Sequence, residues 1–580
     1  VGNHILALNM EDNDIPFELL PEMVEALNAV QDEIEIVQDS LDEYLGQLME
    51  ENPKDNLPTH RGELRYPGVE PGFNGLLGAT HSSRVKLKIL NEKAETHLLY
   101  QAEPLATLAY ALGEEYPQAY LERAWRHLLL NQAHDSICGA AVDQAHEDNL
   151  YNFSVTQAVA EELASRAAVN LYRKINTINA FQPGDHTVTL FNNLPFDRKE
   201  VVLLVIDLPL QDQGDGVVTP ELSEDIAFYD MVDEEGNTVA NCEIANEDIR
   251  MGVERELDTA GINLKCTRRR VLLDVDVPAM GYRTYALRPR EPRFVPEPQP
   301  GDDRPLIARE DGTLENEHLS IEIHPNGTFD LMDKHTGHMM KNLHYFTDNG
   351  EVGNAHLVAS PIRNPVQTSI GSAARITLVE SNGLRGIVRI DLILTVPAAA
   401  TMDGIDRLRE ESTLPITIWL ELSKRSPFLK IRTRLTNTAR DHRLRVNFPT
   451  RIQTSHAAVE SAFSVENRCI QWTDTGDNFE GFYPFQPMQN FVDVSDGNKG
   501  VALLNKGMRE YEVKDDKDRT IALTLLRTQR AYMTANADMT PEELETHRGQ
   551  HSLGTLEFRY AIYPHSGDWL AGQVLQAAYQ

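Results

Sequence analysis

The stretch Phe181-Gln182-Pro183-Gly184-Asp185-His186-Thr187-Val188-Thr189-Leu190-Phe191 divides the chain into two kinds of sequence. Before it, apolar residues recur at helical spacing. Leu41, Tyr44, Leu45 and Leu48 form one stripe, and Val159, Leu163, Ala167 and Leu171 form another. Residues 17–175 are rich in Leu, Ala and Glu and hold about three or four helices of useful length. The segment 51–80, with Pro53, Pro58, Pro67 and Pro71, reads as a long loop between them. After Gly184 the period becomes two. Val188-Thr189-Leu190-Phe191 and Val201-Val202-Leu203-Leu204-Val205 are strand-like runs bounded by turn residues. Residues 287–304 are Pro-rich and charged, and read as a linker between two β domains. From about residue 314, strands recur with turns expected at Asn326-Gly327 and Asp348-Asn349-Gly350, the pattern of a large antiparallel sandwich.

A chain of 580 residues exceeds one compact core and is expected to form about three or four domains. Its 41% apolar and 25% charged residues are ordinary for a globular protein. With 54 cationic and 89 acidic side chains, the formal charge is −35, which argues against nucleic acid as a partner. Only 15 of the cationic residues are lysine, a balance seen in salt-adapted proteins and also in plainly acidic cytosolic ones. No run of 18 or more apolar residues occurs, which argues against a helical membrane span. Cys138, Cys242, Cys266 and Cys469 are scattered and form no C-x-x-C pair. That speaks against a disulfide scaffold or a thiolate zinc site and fits the reducing cytoplasm. The chain opens inside the strand-like run Ile5-Leu6-Ala7-Leu8, which reads as a fragment or a processed chain.

Four constellations could carry chemistry. Asn131-Gln132-Ala133-His134-Asp135-Ser136-Ile137-Cys138-Gly139 follows an apolar helical run and stops at a glycine. A His beside an Asp at a helix end projects two polar groups into one cleft, where the imidazole suits a metal and the carboxylate a metal or a hydroxyl. The plainer reading is a helix-end His with Asp135 or Ser136 capping the next turn. Asn9-Met10-Glu11-Asp12-Asn13-Asp14 follows the opening strand. A carboxylic acid there could protonate a leaving group, and the plainer reading is a solvated acidic loop. In Asp441-His442-Arg443-Leu444-Arg445, alternation puts both arginines on one face, either to clamp an anion or to pair with the chain's own carboxylates. Around Gly507 to Glu512, Glu510 and Glu512 alternate with Tyr511 as strand residues do. There is no Gly-rich phosphate loop, no H-E-x-x-H and no G-x-S-x-G. His134, Asp135 and Ser136 are adjacent and cannot form a hydrolase triad.

Taken in order, these motifs resemble glycoside hydrolase family 38, the zinc-dependent retaining α-mannosidases. His134 to Gly139, preceded by Leu128-Leu129-Leu130-Asn131-Gln132, is similar to the signature beside the family's helix bundle. Phe191-Asn192-Asn193-Leu194-Pro195, Asn326-Gly327-Thr328, Asp441 to Arg445, Gly507 to Glu512, Thr524 to Arg527 and Pro564-His565 follow in the family's order. The bacterial and archaeal branch, which includes mannosylglycerate hydrolases, resembles the chain most. The resemblance implies a multidomain α+β fold. Residues 1–50 would be the C-terminal remnant of an α/β catalytic domain, 51–178 a three-helix bundle carrying the His-Asp motif, 179–290 a small β domain and 305–580 a large antiparallel β-sandwich.

The implied chemistry is hydrolysis of terminal α-mannosides with retention, through a zinc ion held by two His and two Asp that binds the sugar's 2- and 3-hydroxyls. One zinc-ligating Asp is the nucleophile, and a second carboxylate acts as acid and then base. By residue, His134 matches the last zinc ligand and Asp135 a group that contacts mannose hydroxyls. Asp12 matches the acid/base, with Asp14 or Glu11 as alternatives if the loop is shifted. His356 stands where the family has a sugar-reaching tyrosine, and Met10 where it has a glycine. No H-x-D triplet precedes His134, so the resemblance implies that the other ligands and the nucleophile lie upstream of Val1. The expected partner is a mannose-containing oligosaccharide or a small mannoside, in a protein whose relatives are often dimers or tetramers. The rival reading is a non-catalytic carbohydrate-binding or scaffold protein of the same ancestry.

Overall fold

The computed structural model describes residues 4–7, 15, 17–52, 59, 63, 77–209, 228–253, 262–291, 305–471, 484–530 and 548–580. Two compact units divide the chain, Val1–Tyr66 and Pro67–Gln580. In the first, α1 (Leu20–Val30) has a proline in its first turn, where a missing N–H costs nothing. In α2 (Leu41–Glu51) the Ser40 hydroxyl caps the start by accepting from the Glu43 N–H at 3.2 Å. The stripe on α2 is not a core, since Leu41 and Leu45 are 56% and 42% exposed. Nor is the opening strand formed: residues 4–7 pair with no strand, and the described remainder of this unit offers helices but no ladder. The acidic triplet Glu11, Asp12 and Asp14 lies outside the described residues, as does most of the 51–80 loop.

In the second unit the helical periodicity builds the expected three-helix bundle. α3 (Val85–His97) continues through a π turn, Leu98–Ala102, into α4 (Glu103–Ala111). Pro104 explains the turn, because it cannot donate to the preceding turn of the helical ladder. α5 (Gln118–Gln132), α6 (His134–Cys138) and α7 (Asp143–Tyr172) follow. Leu87, Ala94, Leu121, Leu128, Phe153 and Ala160 bring α3, α5 and α7 onto one buried core.

The small β region pairs two three-stranded antiparallel sheets. One holds His186–Asn192, Gly281–Pro289 and Tyr229–Val232, and the other Arg198–Pro209, Ile262–Val277 and Asn241–Val253. They close on Leu204, Met231, Leu273, Tyr285 and Leu287. The start of the expected 287–304 linker is therefore strand: Leu287 is fully buried opposite His186 and Met231, and that burial outweighs the local proline signal.

The C-terminal region is a sandwich of a nine-stranded and a six-stranded antiparallel sheet, with a four-stranded sheet against the same core. In the nine-stranded sheet, Arg385–Pro397, Glu411–Ser423, Leu429–Asn437 and Gly554–Ser566 are consecutive neighbours. Strict alternation buries Leu414, Ile416, Ile418, Leu420 and Leu422 on one face of its second strand. The six-stranded sheet differs. Its strand Thr520–Arg527 is buried at every position, and His442–Pro449 nearly so, because the far side is covered as well. The Asn326-Gly327 turn forms as expected, with Gly327 at φ 84° between two paired strands. Asp348-Asn349-Gly350 does not turn. It ends the strand Tyr345–Gly350, where Asp348 is wholly buried against His442 and Arg407, and this pairing overrides the local turn preference. A last helix, α8 (Val574–Tyr579), packs on the sandwich.

Leu420 is 0% exposed in the middle of the sandwich. Leu420→Ala is expected to cost about 3 kcal/mol of stability through a buried cavity, read as a lower denaturation midpoint with unchanged slope.

Candidate functional site

The His-Asp motif sits on a break between helices. α5 stops at Gln132, and Ala133 leaves the helical region with ψ 138° before His134 opens α6. α6 ends at Gly139 with φ 86°. That glycine is required twice over, because a Cβ there would lie 2.4 Å from Ser83 Oγ. No side chain caps α6, so Asp135 and Ser136 are not caps. The His134 and Asp135 side chains are 95% and 67% exposed, with Nε2 and Oδ1 3.7 Å apart.

Beneath these exposed groups the turn is fastened from below. Ser83 Oγ donates to the Cys138 carbonyl at 2.5 Å. The buried Lys88 Nζ donates to the carbonyls of Ser83 at 2.5 Å and Cys138 at 3.2 Å. Burial pushes the Lys88 ammonium down to about 7. Gln132 donates to Asn91 and Glu95 of α3, and Arg84 pairs with Asp143 at the start of α7.

The second component is the loop that carries His356. Buried Glu351 organises it: Oε1 accepts from the Gly353 N–H at 2.8 Å and the Ala359 N–H at 3.0 Å. Burial raises the Glu351 carboxyl above its ordinary range. Gly353 has no room for a side chain, since a Cβ would stand 2.1 Å from the Leu357 carbonyl. Asn354 Oδ1 accepts from the His356 and Leu357 N–H groups, leaving His356 half-buried.

Arg527 joins the two components. Its guanidinium donates to Asn354 O at 2.9 Å and Ala355 O at 3.4 Å in the His356 loop. It also donates to Ala79 O at 2.9 Å and Ser82 Oγ at 3.0 Å, in the segment whose next residue holds Cys138. Glu351 Oε1 is 3.7 Å away. One side chain thus fixes the His356 loop against the segment that fixes His134 and Asp135.

The arginine pair of the 441–445 motif takes its plainer reading. Arg443 pairs with Glu510, donates to Thr524 Oγ1 at 3.1 Å and lies 4.0 Å over the Phe485 ring. Arg445 pairs with Glu512. Burial opposes ionisation of Glu510, yet Arg443, Ser82 and Thr524 together hold its carboxyl below the usual range. With both guanidiniums engaged internally, the anion-clamp expectation is set aside. His442, on the opposite face, holds Asp348 at 2.5 Å and Asn437 at 3.0 Å.

Among the described residues, no three His, Cys, Asp or Glu side chains converge as a metal site. They offer His134 with Asp135 beside it, which does not by itself fit zinc. The sequence marked Arg527 only as the end of the segment Thr524 to Arg527 and assigned no role to Arg527, Glu351 or Lys88. The one available signal was a charged residue closing the apolar run Leu523-Thr524-Leu525-Leu526.

Comparison with known proteins agrees with this layout. Residues 77–171 match the α-mannosidase middle domain, and residues 314–532 the C-terminal domain of glycosyl hydrolases family 38. A putative mannosylglycerate hydrolase of Halalkalibacterium halodurans is 26% identical over 93% of this chain and 59% of its own length. Human alpha-mannosidase 2C1 is 24% identical over 91% of this chain and 41% of its own. The crystal structure of an alpha-mannosidase from Enterococcus faecalis V583 superposes with a TM-score of 0.83 at 28% identity, over 97% of this chain and 63% of that one. The chain therefore spans well under two thirds of the curated relatives it matches.

Two outcomes test the lock. Arg527→Met removes the cation beside buried Glu351 and a donor to five acceptors, and is expected to cost about 3–5 kcal/mol, read by chemical denaturation. Lys88 is neutral above about pH 7 when folded but holds its proton to about 10.5 when unfolded. Its burial cost is therefore complete below pH 7 and falls away as pH rises. The stability of the wild type relative to Lys88→Met should grow between pH 7 and pH 10, and a pH-independent difference would refute the assignment.

Proposed function

The chain belongs to glycoside hydrolase family 38, and on that premise we propose that the protein is a glycosidase removing terminal α-mannose with retention of configuration. The observation that carries the reading is the exposed His134-Asp135 pair on a turn fastened by Ser83 and Lys88. Asp135 presents a carboxylate that can accept hydrogen bonds from vicinal sugar hydroxyls. His356 approaches the substrate from the β-sandwich side. Asp12 acts first as acid on the leaving oxygen and then as base toward water, so that two displacements retain the anomeric configuration. Zinc is a proposed cofactor of the whole protein, with His134 as one ligand and the others beyond the described residues. The roles of Asp12 and Asp135 do not depend on it.

The substrate is an oligosaccharide or a small mannoside. The putative mannosylglycerate hydrolase among the relatives supports a glycerate aglycone, and the human alpha-mannosidase 2C1 supports an α-mannoside more generally. A cytoplasmic setting is supported by the four scattered cysteines, which form no C-x-x-C pair. No helix among the described residues is long and apolar enough to cross a membrane. Self-association is part of the same proposal.

The test assays the natural gene product on mannosylglycerate and on α-linked mannobiose, with the first-formed anomer followed by NMR. Retention is expected. His134→Ala and Asp135→Asn should each lower kcat/KM by about a hundredfold or more, and chelation should remove activity that zinc restores. The 580-residue chain alone should bind zinc weakly and turn over little, so robust hydrolysis by that chain would overturn the placement of the motif. Saturable mannoside binding without hydrolysis by the natural product would establish the non-catalytic reading instead.

A further inference from the structure

The outward face of the nine-stranded sheet carries a second concavity that shares no residue with the candidate site. Strand pairing places Arg389, Trp419, Arg432 and Arg559 in one row across four strands. The next row is Ile387, Glu421, Lys430, Ala561 and Leu504. α8 stands beside these rows, and the space between has a volume of about 570 Å³. That is the size of an ordinary small-molecule site.

Its chemistry is divided. Ile387, Leu504, Ala561, Ala577 and the ring of Phe428 supply an apolar floor. Lys430, Arg432, Lys506 and Arg559 supply the rim, against Glu421 as the acidic side chain lining it. Four cations around one small cavity reverse the sign of a chain whose net charge is −35. The cations are also incompletely neutralised. Glu557 serves two guanidiniums, Arg559 at 2.9 Å and Arg432 at 3.7 Å, the second beyond hydrogen-bond length. The nearest acidic oxygen to Lys506 is on Glu92, at 3.9 Å. The Arg432 guanidinium carbon lies 3.8 Å from the centre of the Trp419 ring, a cation–π contact that places the cation at this row. An apolar floor under a preset cationic rim is complementary to an amphipathic anion.

We propose that this concavity binds a small amphipathic anion, an apolar body of modest length bearing a carboxylate or a phosphate. The anionic group sits at Arg432 and Arg559, with Lys430 and Lys506 nearby. The apolar body lies along Ile387, Leu504 and Ala561 toward α8. Trp419 reports occupancy, because displacing or re-seating Arg432 changes the environment of its indole.

Calorimetric titration of the full chain at low salt with octanoate and with octyl phosphate tests this, with octanol and acetate as controls and Trp419 fluorescence as a second readout. Saturable binding of at least one octyl anion is expected, about tenfold or more tighter than octanol or acetate, because charge and apolar body act together. The tighter of the two anions assigns the headgroup. Arg432→Gln and Arg559→Gln should each weaken binding by about tenfold, and Ala577→Asp should abolish it. The Arg559 side chain is 68% exposed, so its variant should melt like the wild type and keep folding out of the readout. Octanol binding as well as octanoate, unchanged affinity in both arginine variants, or no saturable binding would overturn the proposal. So would a sedimenting dimer that Arg559→Glu dissociates, since a second copy would then occupy this face.

Discussion

The Arg527 guanidinium is buried completely, and the candidate site depends on it. A buried cation is tolerable only when its donors are met, and here they are met by atoms from three separated parts of the chain. Ala79 and Ser82 come from the entrance to the helices, Asn354 and Ala355 from the His356 loop, and Gln529 from just beyond the strand itself. These acceptors are mostly backbone carbonyls, which have little freedom to retreat. Meeting the donors therefore fixes three backbones to each other with the precision of hydrogen-bond lengths. Apolar packing would hold the same surfaces together but would tolerate sliding, because dispersion and burial are not directional.

The rest of the layer between sheet and helices follows that logic. Glu510 faces Arg443 and Thr524 on the sheet side, Lys88 faces Ser83 and Cys138 on the helix side, and Asp143 ties Arg84 to the Gly549 N–H. Such a layer is poor value as stabilisation, since desolvating the charges offsets much of their attraction. Its product is position. Gly507 allows the approach, because a Cβ there would meet the Ile89 backbone of α3 at 2.6 Å. Gly139 and Gly353 play the same part at the two turns that present His134 and His356. Gly507 and Gly353 mark where backbone meets backbone and Gly139 where backbone meets the Ser83 and Arg84 side chains, while the buried polar groups set the register of each meeting.

What was legible in the sequence was periodicity and contiguity. The change from period 3.6 to period 2 near Phe181 separates helices from sheets because each period reflects one buried face, as at Leu163, Ala167 and Leu171 or at Ile416, Ile418 and Leu420. His134 and Asp135 could be found because they are adjacent. Arg527 could not be assigned a role, because apart from Gln529 the partners named here lie at 79–82 and 351–355 and share no local pattern with it. The misreadings have one cause. Asp348-Asn349-Gly350 has turn composition, and Leu287 to Pro289 has linker composition, yet both are strands. In each case a tertiary contact, Asp348 with His442 and Arg407 or Leu287 in the small β core, exceeds a local preference of about a kilocalorie. The stripe of α2 fails in the opposite direction, since a correct helical pattern gains little without a face to bury.

The two regions of charge in the large unit respond differently to solvent. On the outer sheet face, pairs such as Arg389 with Asp391 and Arg559 with Glu557 are substantially exposed and open to screening within a Debye length of about 8–10 Å. At the site the contacts are buried, and the His-Asp turn is fastened by the Ser83 hydroxyl and by Lys88, whose ammonium burial drives down to about 7. The Ser83 hydroxyl carries no charge for salt to screen, and Lys88 carries less charge as pH rises through about 7. In a chain carrying −35, where ionic strength alters surface interactions, the turn presenting His134 and Asp135 is held by buried bonds that salt screens less. The geometry of the site thereby depends less on ionic strength than the charge pairs of the outer sheet face do.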